Sequence, residues 1–182
     1  MSAPTGGGNG ARPAVPGEGP DIATDGDPGR PRIRIGGERT IRAGRERAWA
    51  ILTDPLAVAA CLPVPATAEM VPPDGFVVAA TVTVLLFQLR VAVEGRFVER
   101  VEPERAVLRG TAVVPGGGVS VEARLELRAD TDTSTTLRWE LEASPTGLAA
   151  TLAGDGGVPA PVLDAVERTL GCLVARAEII ER

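Results

Sequence analysis

The side chains that most often carry out enzymatic chemistry are scarce in this chain of 182 residues, which contains no histidine, tyrosine or lysine. Histidine is the commonest general base and zinc ligand, and tyrosine is a frequent proton donor. The two cysteines, Cys61 and Cys172, lie far apart and share no metal-type spacing. We therefore predict no catalytic residue, no metal site and no cofactor. Reduced, buried thiols are the favoured interpretation, with a disulfide as the alternative.

The remaining polar candidates have structural interpretations. Asp54 precedes Pro55, which is the favoured N-cap and first-turn pair of a helix, so we interpret it as a cap and not as a catalytic carboxylate. A row of alternating charges could bind a partner protein, but solvated cross-strand pairs are the commoner case. That row comprises Glu122, Arg124, Glu126, Arg138, Glu140 and Glu142.

The strongest pattern runs from residue 119 to residue 143, where apolar and polar residues alternate on both sides of a polar turn at residues 130–134. Successive side chains of a strand point to opposite faces, so this pattern predicts an antiparallel hairpin with one apolar and one charged face. The apolar face of such a hairpin needs a cover.

The order of patterns along the chain predicts an α+β fold. Residues 1–31 are predicted to be a disordered Gly- and Pro-rich tail, and residues 32–182 a single domain. A first strand, interrupted at Gly36-Gly37, precedes two short helices and about six further strands. A long amphipathic helix starts at Pro159 or Pro161 and runs to about residue 180. We predict a curved antiparallel sheet of about seven strands, wrapped around this last helix.

Composition limits the classes of partner. The net charge is −5 and no basic block occurs, so we do not expect nucleic acid. No stretch approaches the roughly 20 apolar residues that span a bilayer, and no signal peptide is evident. The default expectation is a cytoplasmic location.

Two short blocks resemble a known family. Residues 48–55 read Ala-Trp-Ala-Ile-Leu-Thr-Asp-Pro, and residues 61–63 read Cys-Leu-Pro. They resemble the Trp-x-x-Leu-x-Asp-Pro and Cys-[Ile/Leu]-Pro elements of the carbon monoxide dehydrogenase G-subunit family, within the START-like superfamily. The resemblance implies a helix-grip fold, a quinone-like or other lipid ligand, and an accessory role beside a molybdenum-containing dehydrogenase.

We expect a lipophilic ligand between the apolar sheet face and the last helix, because no inward charge is expected there. The predicted lining is Val82, Val84, Val91, Val93, Leu108, Ala112, Val121, Ala123, Leu125, Leu137, Trp139, Leu141, Val166 and Leu170. The alternatives are a START-like cyclase or hydrolase and an assembly factor with a filled core. The apolar run at residues 85–87 either folds over the cavity mouth or makes a peripheral contact with a membrane or partner.

Overall fold

The computed structural model describes residues 32–84, 86–114, 116–153 and 160–179. The predicted tail, residues 1–31, lies outside the described residues. The strands are β1 (Ile33–Ile41), β2 (Ala66–Val71), β3 (Gly75–Val84), β4 (Phe87–Val101), β5 (Arg105–Val114), β6 (Gly117–Thr131) and β7 (Ser134–Gly147). The helices are α1 (Arg45–Leu52), α2 (Pro55–Cys61), α3 (Leu148–Ala153) and α4 (Ala160–Glu178). The predicted α+β architecture is confirmed.

The strands form one seven-stranded sheet in the order β1-β7-β6-β5-β4-β3-β2, and all neighbours are antiparallel. The hairpin predicted from residues 119–143 is β6 and β7, with Leu125 opposite Trp139. Both faces are therefore continuous across the sheet, and we call the face that carries Leu125 and Trp139 the inner face. The charged face is the outer face.

The first strand is continuous, so the predicted interruption at its two glycines was wrong. The strand pairs with β7 from Ile33 opposite Ala143 to Ile41 opposite Thr135. A Cβ atom on Gly37 would stand 3.4 Å from Nε1 of Trp139, so the indole ring lies against this glycine. The glycine makes room for the ring and does not end the strand.

The two short helices begin and pack as predicted. The backbone N–H of Leu56 donates to Oδ1 of Asp54 over 2.9 Å, which caps α2 just before its first-turn Pro55. Trp49 and Leu52 of α1 are buried. Both helices thus contribute apolar side chains to the core.

The long helix α4 buries Leu170, Leu173 and Ala177 and packs on α1, α2 and β1. The guanidinium of Arg47 donates to the carbonyl oxygen of Ala177 over 2.7 Å, which satisfies one of the last carbonyls of the helix. The C-terminal half of α4 is therefore fixed by both apolar and polar contacts.

The prediction of reduced cysteines was wrong, because Cys61 and Cys172 form a disulfide. The packing of α2 on α4 brings their Cα atoms to 5.5 Å, within the range that a disulfide requires. The sequence separation of 111 positions hid this contact, since it depends on how two helices pack. The bond ties α4 to the helical layer beside the sheet.

Candidate ligand-binding site

The predicted lining residues fall into three groups on the inner face. Leu137, Trp139 and Leu170 are buried in the hydrophobic core, next to α1 and the C-terminal half of α4. A second group is partly buried against this core and comprises Leu108, Leu125, Leu141 and Val166. The core is thus already filled with side chains at the end of the sheet near α1 and α2.

The third group lies farther along the same face, towards the β3–β4 and β5–β6 turns. Its members Val82, Val91, Val93, Val121 and Ala123 are only half-buried. Ala112 is buried nearby, and Val84 holds the adjoining strand position, opposite Phe87. We call the inner-face surface of these five half-buried residues the apolar trough. A trough of this composition can take up an apolar molecule without side chains having to leave a packed core.

Trp139 marks the boundary between the filled core and the apolar trough. Along β7, Leu137 and Trp139 are buried, whereas Leu141 is half-buried. The indole Nε1 of Trp139 is a buried donor with no acceptor among the described residues. Buried donors are nearly always paired. This N–H lies against Gly37 of β1, so an acceptor would have to reach it at the β1 side of the indole ring. Trp49 Nε1 is also unpaired, but it lies in the filled core.

The expectation of an inner face without charges was wrong at Arg39. The register of β1 places Arg39 opposite Leu137, on the inner face at the sheet edge. Its guanidinium forms an ion pair with Glu167 of α4, which explains how a charge is tolerated there. The alternation of Ile33, Ile35 and Ile41 contains the signal, since Arg39 lies an even number of residues from each.

The two most exposed large apolar residues lie at one end of the sheet, where β3, β5 and β7 end. Leu86 is 94% exposed between β3 and β4, and Val113 is 83% exposed near the end of β5. Leu148 of α3 and Leu163 of α4 are exposed as well. Within the described residues, no helix combines the length and apolarity needed to cross a bilayer. This end borders the apolar trough and carries exposed side chains of the kind that contact apolar partners.

The outer face carries a feature that the sequence did not predict, an open groove of about 1100 Å³. We call it the arginine groove. Four members of the predicted charged row, Glu122, Arg124, Glu140 and Glu142, lie along it. The full lining is Arg32, Arg34, Glu94, Gly95, Arg96, Arg109, Gly110, Thr111, Ser120, Val121, Glu122, Arg124, Glu140, Glu142 and Ser144. Alternation places charges on a face, but it does not tell whether the side chains of neighbouring strands leave a groove between them.

Glu122 lies at the centre of the arginine groove. Partial burial raises the pKa of its carboxyl, but the hydrogen bond from Arg109 and the charges of Arg124 and Arg109 outweigh that effect. The net result is a pKa below the ordinary value, so Glu122 stays ionised and holds both guanidinium groups.

The architecture is START-like, with a curved antiparallel sheet against a long C-terminal helix. A conserved protein from Geobacillus kaustophilus aligns with a TM-score of 0.66 at 15% identity, covering 80% of this chain and 95% of that one. A START superfamily protein from Mycobacterium smegmatis aligns with a TM-score of 0.54 at 14% identity, covering 80% and 94%. The Zhui aromatase/cyclase from Streptomyces sp. R1128 aligns with a TM-score of 0.55 at 18% identity, covering 81% of this chain and 94% of that one. At these identities the likeness establishes the fold.

The sequence places the chain within that class more narrowly. The family model for the G subunit of carbon monoxide dehydrogenase (CoxG) matches residues 37–174, and the chain belongs to this family. No curated protein sequence matches it. The resemblance predicted from the Trp-x-x-Leu-x-Asp-Pro block is confirmed.

Proposed function

We propose that this chain is a non-catalytic binding protein that holds a quinone-like or other lipid molecule in the apolar trough. The observation that carries the proposal is the contrast in packing along the inner face. Val91, Val93 and Val121 stay half-buried, although the same face is fully packed at Leu137. Covering apolar surface contributes about 25 cal/mol per Å², so covering ~200 Å² would give about 5 kcal/mol before ordering costs.

The unpaired Nε1 of Trp139 supports a ligand that carries a hydrogen-bond acceptor. Binding sites for small molecules are mostly apolar, with a few polar groups that fix orientation. A quinone carbonyl meets both requirements, because it accepts one hydrogen bond and sits on an otherwise apolar ring. Trp139 is therefore the residue we assign to orienting the ligand.

Two single-tryptophan variants test this assignment, because the chain contains only Trp49 and Trp139. In Trp49→Phe, the remaining Trp139 should be quenched saturably by a short-chain benzoquinone. In Trp139→Phe, which keeps an aromatic ring but loses the donor, equilibrium dialysis should give about three- to tenfold weaker binding. Unchanged affinity for the quinone in Trp139→Phe, or no saturable quenching in Trp49→Phe, would refute the assignment of Trp139 as the residue that orients the ligand.

The family membership supports an accessory role beside a molybdenum-containing dehydrogenase of the carbon monoxide dehydrogenase type. In this role, the chain would carry a lipophilic redox molecule to or from the enzyme. Co-purification with the dehydrogenase tests this role. The variant Val121→Arg blocks the trough. If this variant still co-purifies with the dehydrogenase, binding to the enzyme does not depend on the ligand.

Two alternatives keep specific support. A cyclase or hydrolase is favoured by the structural likeness to the Zhui aromatase/cyclase, and would need a polar group beside the trough. Among the described residues, the Arg39–Glu167 pair is the candidate for that role on the inner face, and it lies at the filled end, opposite Leu137. An assembly factor is favoured by the filled half of the core. Enzymatic turnover that is lost in Arg39→Gln would support the cyclase or hydrolase. A chain that purifies without any ligand would support the assembly factor.

We also propose that the exposed apolar end touches the cytoplasmic face of the membrane while the ligand is loaded. Leu86 and Val113 protrude from two neighbouring strand turns, close to the trough, and residues 75–89 and 110–121 contain no charged side chain. An apolar, uncharged end should bind neutral lipid, and salt should have little effect.

Flotation with neutral phosphatidylcholine vesicles tests the contact. Leu86→Glu should lose most vesicle binding, whereas the matched control Leu56→Glu, at a 55% exposed position on α2, should keep it. Equal loss in both variants, or binding that appears only with anionic lipid, would contradict this part of the proposal.

A further inference from the structure

The arginine groove lies on the face of the sheet opposite the apolar trough, and its floor is organised by two glutamates. Glu122 and Glu142 stand directly opposite each other on β6 and β7. Two like charges in such a position repel unless each is compensated. Glu122 accepts a hydrogen bond from Nε of Arg109 over 2.6 Å and forms a second ion pair with Arg124.

Glu142 has the same arrangement on the other side. It accepts a hydrogen bond from Arg34 of β1 over 2.6 Å, and Arg32 lies 3.8 Å from its other oxygen. Two carboxylates thus hold four guanidinium groups. Glu140, directly opposite Arg124, adds a third carboxylate, which leaves one positive charge in excess within this cluster.

The guanidinium groups stand above the carboxylates. The side chain of Glu122 is 22% exposed, whereas that of Arg109 is 63% exposed. The side chain of Glu142 is likewise less exposed than that of Arg34. A guanidinium has five N–H donors, so groups held by one or two bonds keep donors free for another anion. Glu94 and Glu140 are exposed in the groove as well, so its accessible surface carries more guanidinium than carboxylate groups. Ion pairs hold in place Arg32, Arg34, Arg109 and Arg124.

The full lining has five arginines and four glutamates, a net charge of +1, on a chain whose net charge is −5. The segment that precedes β1 has the opposite character. Residues 13–29 contain Glu18, Asp21, Asp25 and Asp27, a net charge of −4, and the flanking Arg12 and Arg30 bring residues 12–30 to −2. This segment lies outside the described residues, and it joins the fold at Arg32, which itself lines the groove.

We propose that the acidic residues 18–27 of this chain dock into the arginine groove. This interaction is independent of the proposed ligand function, because it uses the other face of the sheet. The occupant is the chain's own segment, and its charge complements the groove.

The connection is long enough for this contact. The groove crosses β1, β7, β6, β5 and β4, a width of about 19 Å at the spacing of neighbouring strands. The five residue steps between Asp27 and Arg32 span up to ~17 Å, so Asp27 can reach the arginines of β6 and β5. Single exposed ion pairs are weak, but a short tether gives an effective concentration in the millimolar range.

The first experiment compares amide NMR spectra of the full chain and of a neutral-segment variant, Glu18→Gln, Asp21→Asn, Asp25→Asn and Asp27→Asn. The amides of Thr111, Ser120 and Ser144, which line the groove, should shift in the variant. A change from 25 to 500 mM NaCl should produce similar shifts in the wild-type chain, because salt screens the contact. The matched control neutralises Glu69, Glu102 and Asp132, exposed acids away from the groove, and should leave these amides in place.

The second experiment measures how accessible the acidic segment is, from its rate of cleavage by a protease that cuts before aspartate. Cleavage at residues 21, 25 and 27 should be about tenfold faster in Arg34→Gln/Arg109→Gln/Arg124→Gln than in the wild-type chain. The control triple variant Arg128→Gln/Arg168→Gln/Arg176→Gln makes the same change in charge away from the groove. Thermal unfolding checks that the groove variant still folds, and the NMR comparison does not depend on that variant.

The outcomes are separable. Unshifted groove amides in the neutral-segment variant, together with equal cleavage rates, would overturn the proposal. Shifts that grow with protein concentration would assign the contact to the segment of a second copy and would also overturn it. Added polyglutamate should bind about tenfold more tightly to the neutral-segment variant than to wild type, because the competing segment is gone. Equal binding would contradict docking.

Discussion

The disulfide gives the sharpest stability prediction. Cys61 and Cys172 close a loop of 111 residues between α2 and α4. In the chain-entropy model, closing a loop of that length in the unfolded state contributes about 4.8 kcal/mol at 25 °C. Domains of this size are stable by about 5–15 kcal/mol, so the double variant Cys61→Ser/Cys172→Ser should lose a large share of its stability.

Equilibrium urea unfolding measures this effect. The oxidised wild-type chain should unfold at a higher midpoint than both the reduced wild type and the double variant. The slope of free energy against urea should be steeper without the bond, because the open unfolded chain exposes more surface. Reductant should have no effect on the double variant, which is the control.

A specific result would refute the reasoning. If oxidised and reduced wild type unfold within about 0.5 kcal/mol of each other, the bond does not constrain the unfolded chain as the model requires. Thiol alkylation in intact cells adds a test of location. Disulfides are rare in the cytosol, so the bond between Cys61 and Cys172 opposes the proposed cytoplasmic location, which requires that alkylation find the pair reduced in cells.

Three further predictions concern single side chains. Arg47→Ala removes the guanidinium that bonds the last carbonyls of α4 and should cost about 1.5–3 kcal/mol in urea unfolding. Gly95→Ala places a Cβ atom against the Phe76 ring, closer than van der Waals contact allows, and should lower the thermal midpoint by displacing that ring, at a cost of about 1–3 kcal/mol. The backbone N–H of Arg42 lowers the pKa of Glu178, so this carboxylate stabilises the fold above its unfolded pKa and loses that effect as the pH falls through its folded pKa. The stability difference between wild type and Glu178→Gln, measured by urea unfolding across pH 2–7, should therefore shrink towards acid pH.

Much of the fold could be predicted from alternation and periodicity alone. The β6–β7 hairpin follows from alternation, and α2 follows from the Asp54-Pro55 start signal. These features depend on residues close in sequence. The pairing of Cys61 with Cys172 could not be predicted, because it depends on the packing of two helices that are distant in the chain.

The site was predicted less completely, for physical reasons. Alternation identified the inner face, but it could not tell the filled end near Leu137 from the half-buried end near Val91. That difference depends on where α1, α2 and α4 lie over the sheet. Arg39 was missed because two glycines obscured the alternation of β1. The arginine groove was missed because it depends on how the side chains of five neighbouring strands stand relative to one another.

The central claim is that the apolar trough holds a lipophilic molecule. Native mass spectrometry of the purified full chain, followed by lipid extraction, tests it most directly. We predict a mass adduct that releases a quinone or lipid on extraction, and that falls in occupancy in Trp139→Phe but not in Trp49→Phe. A chain that carries no adduct and takes up no quinone or lipid when these are added would contradict the claim and favour an assembly factor.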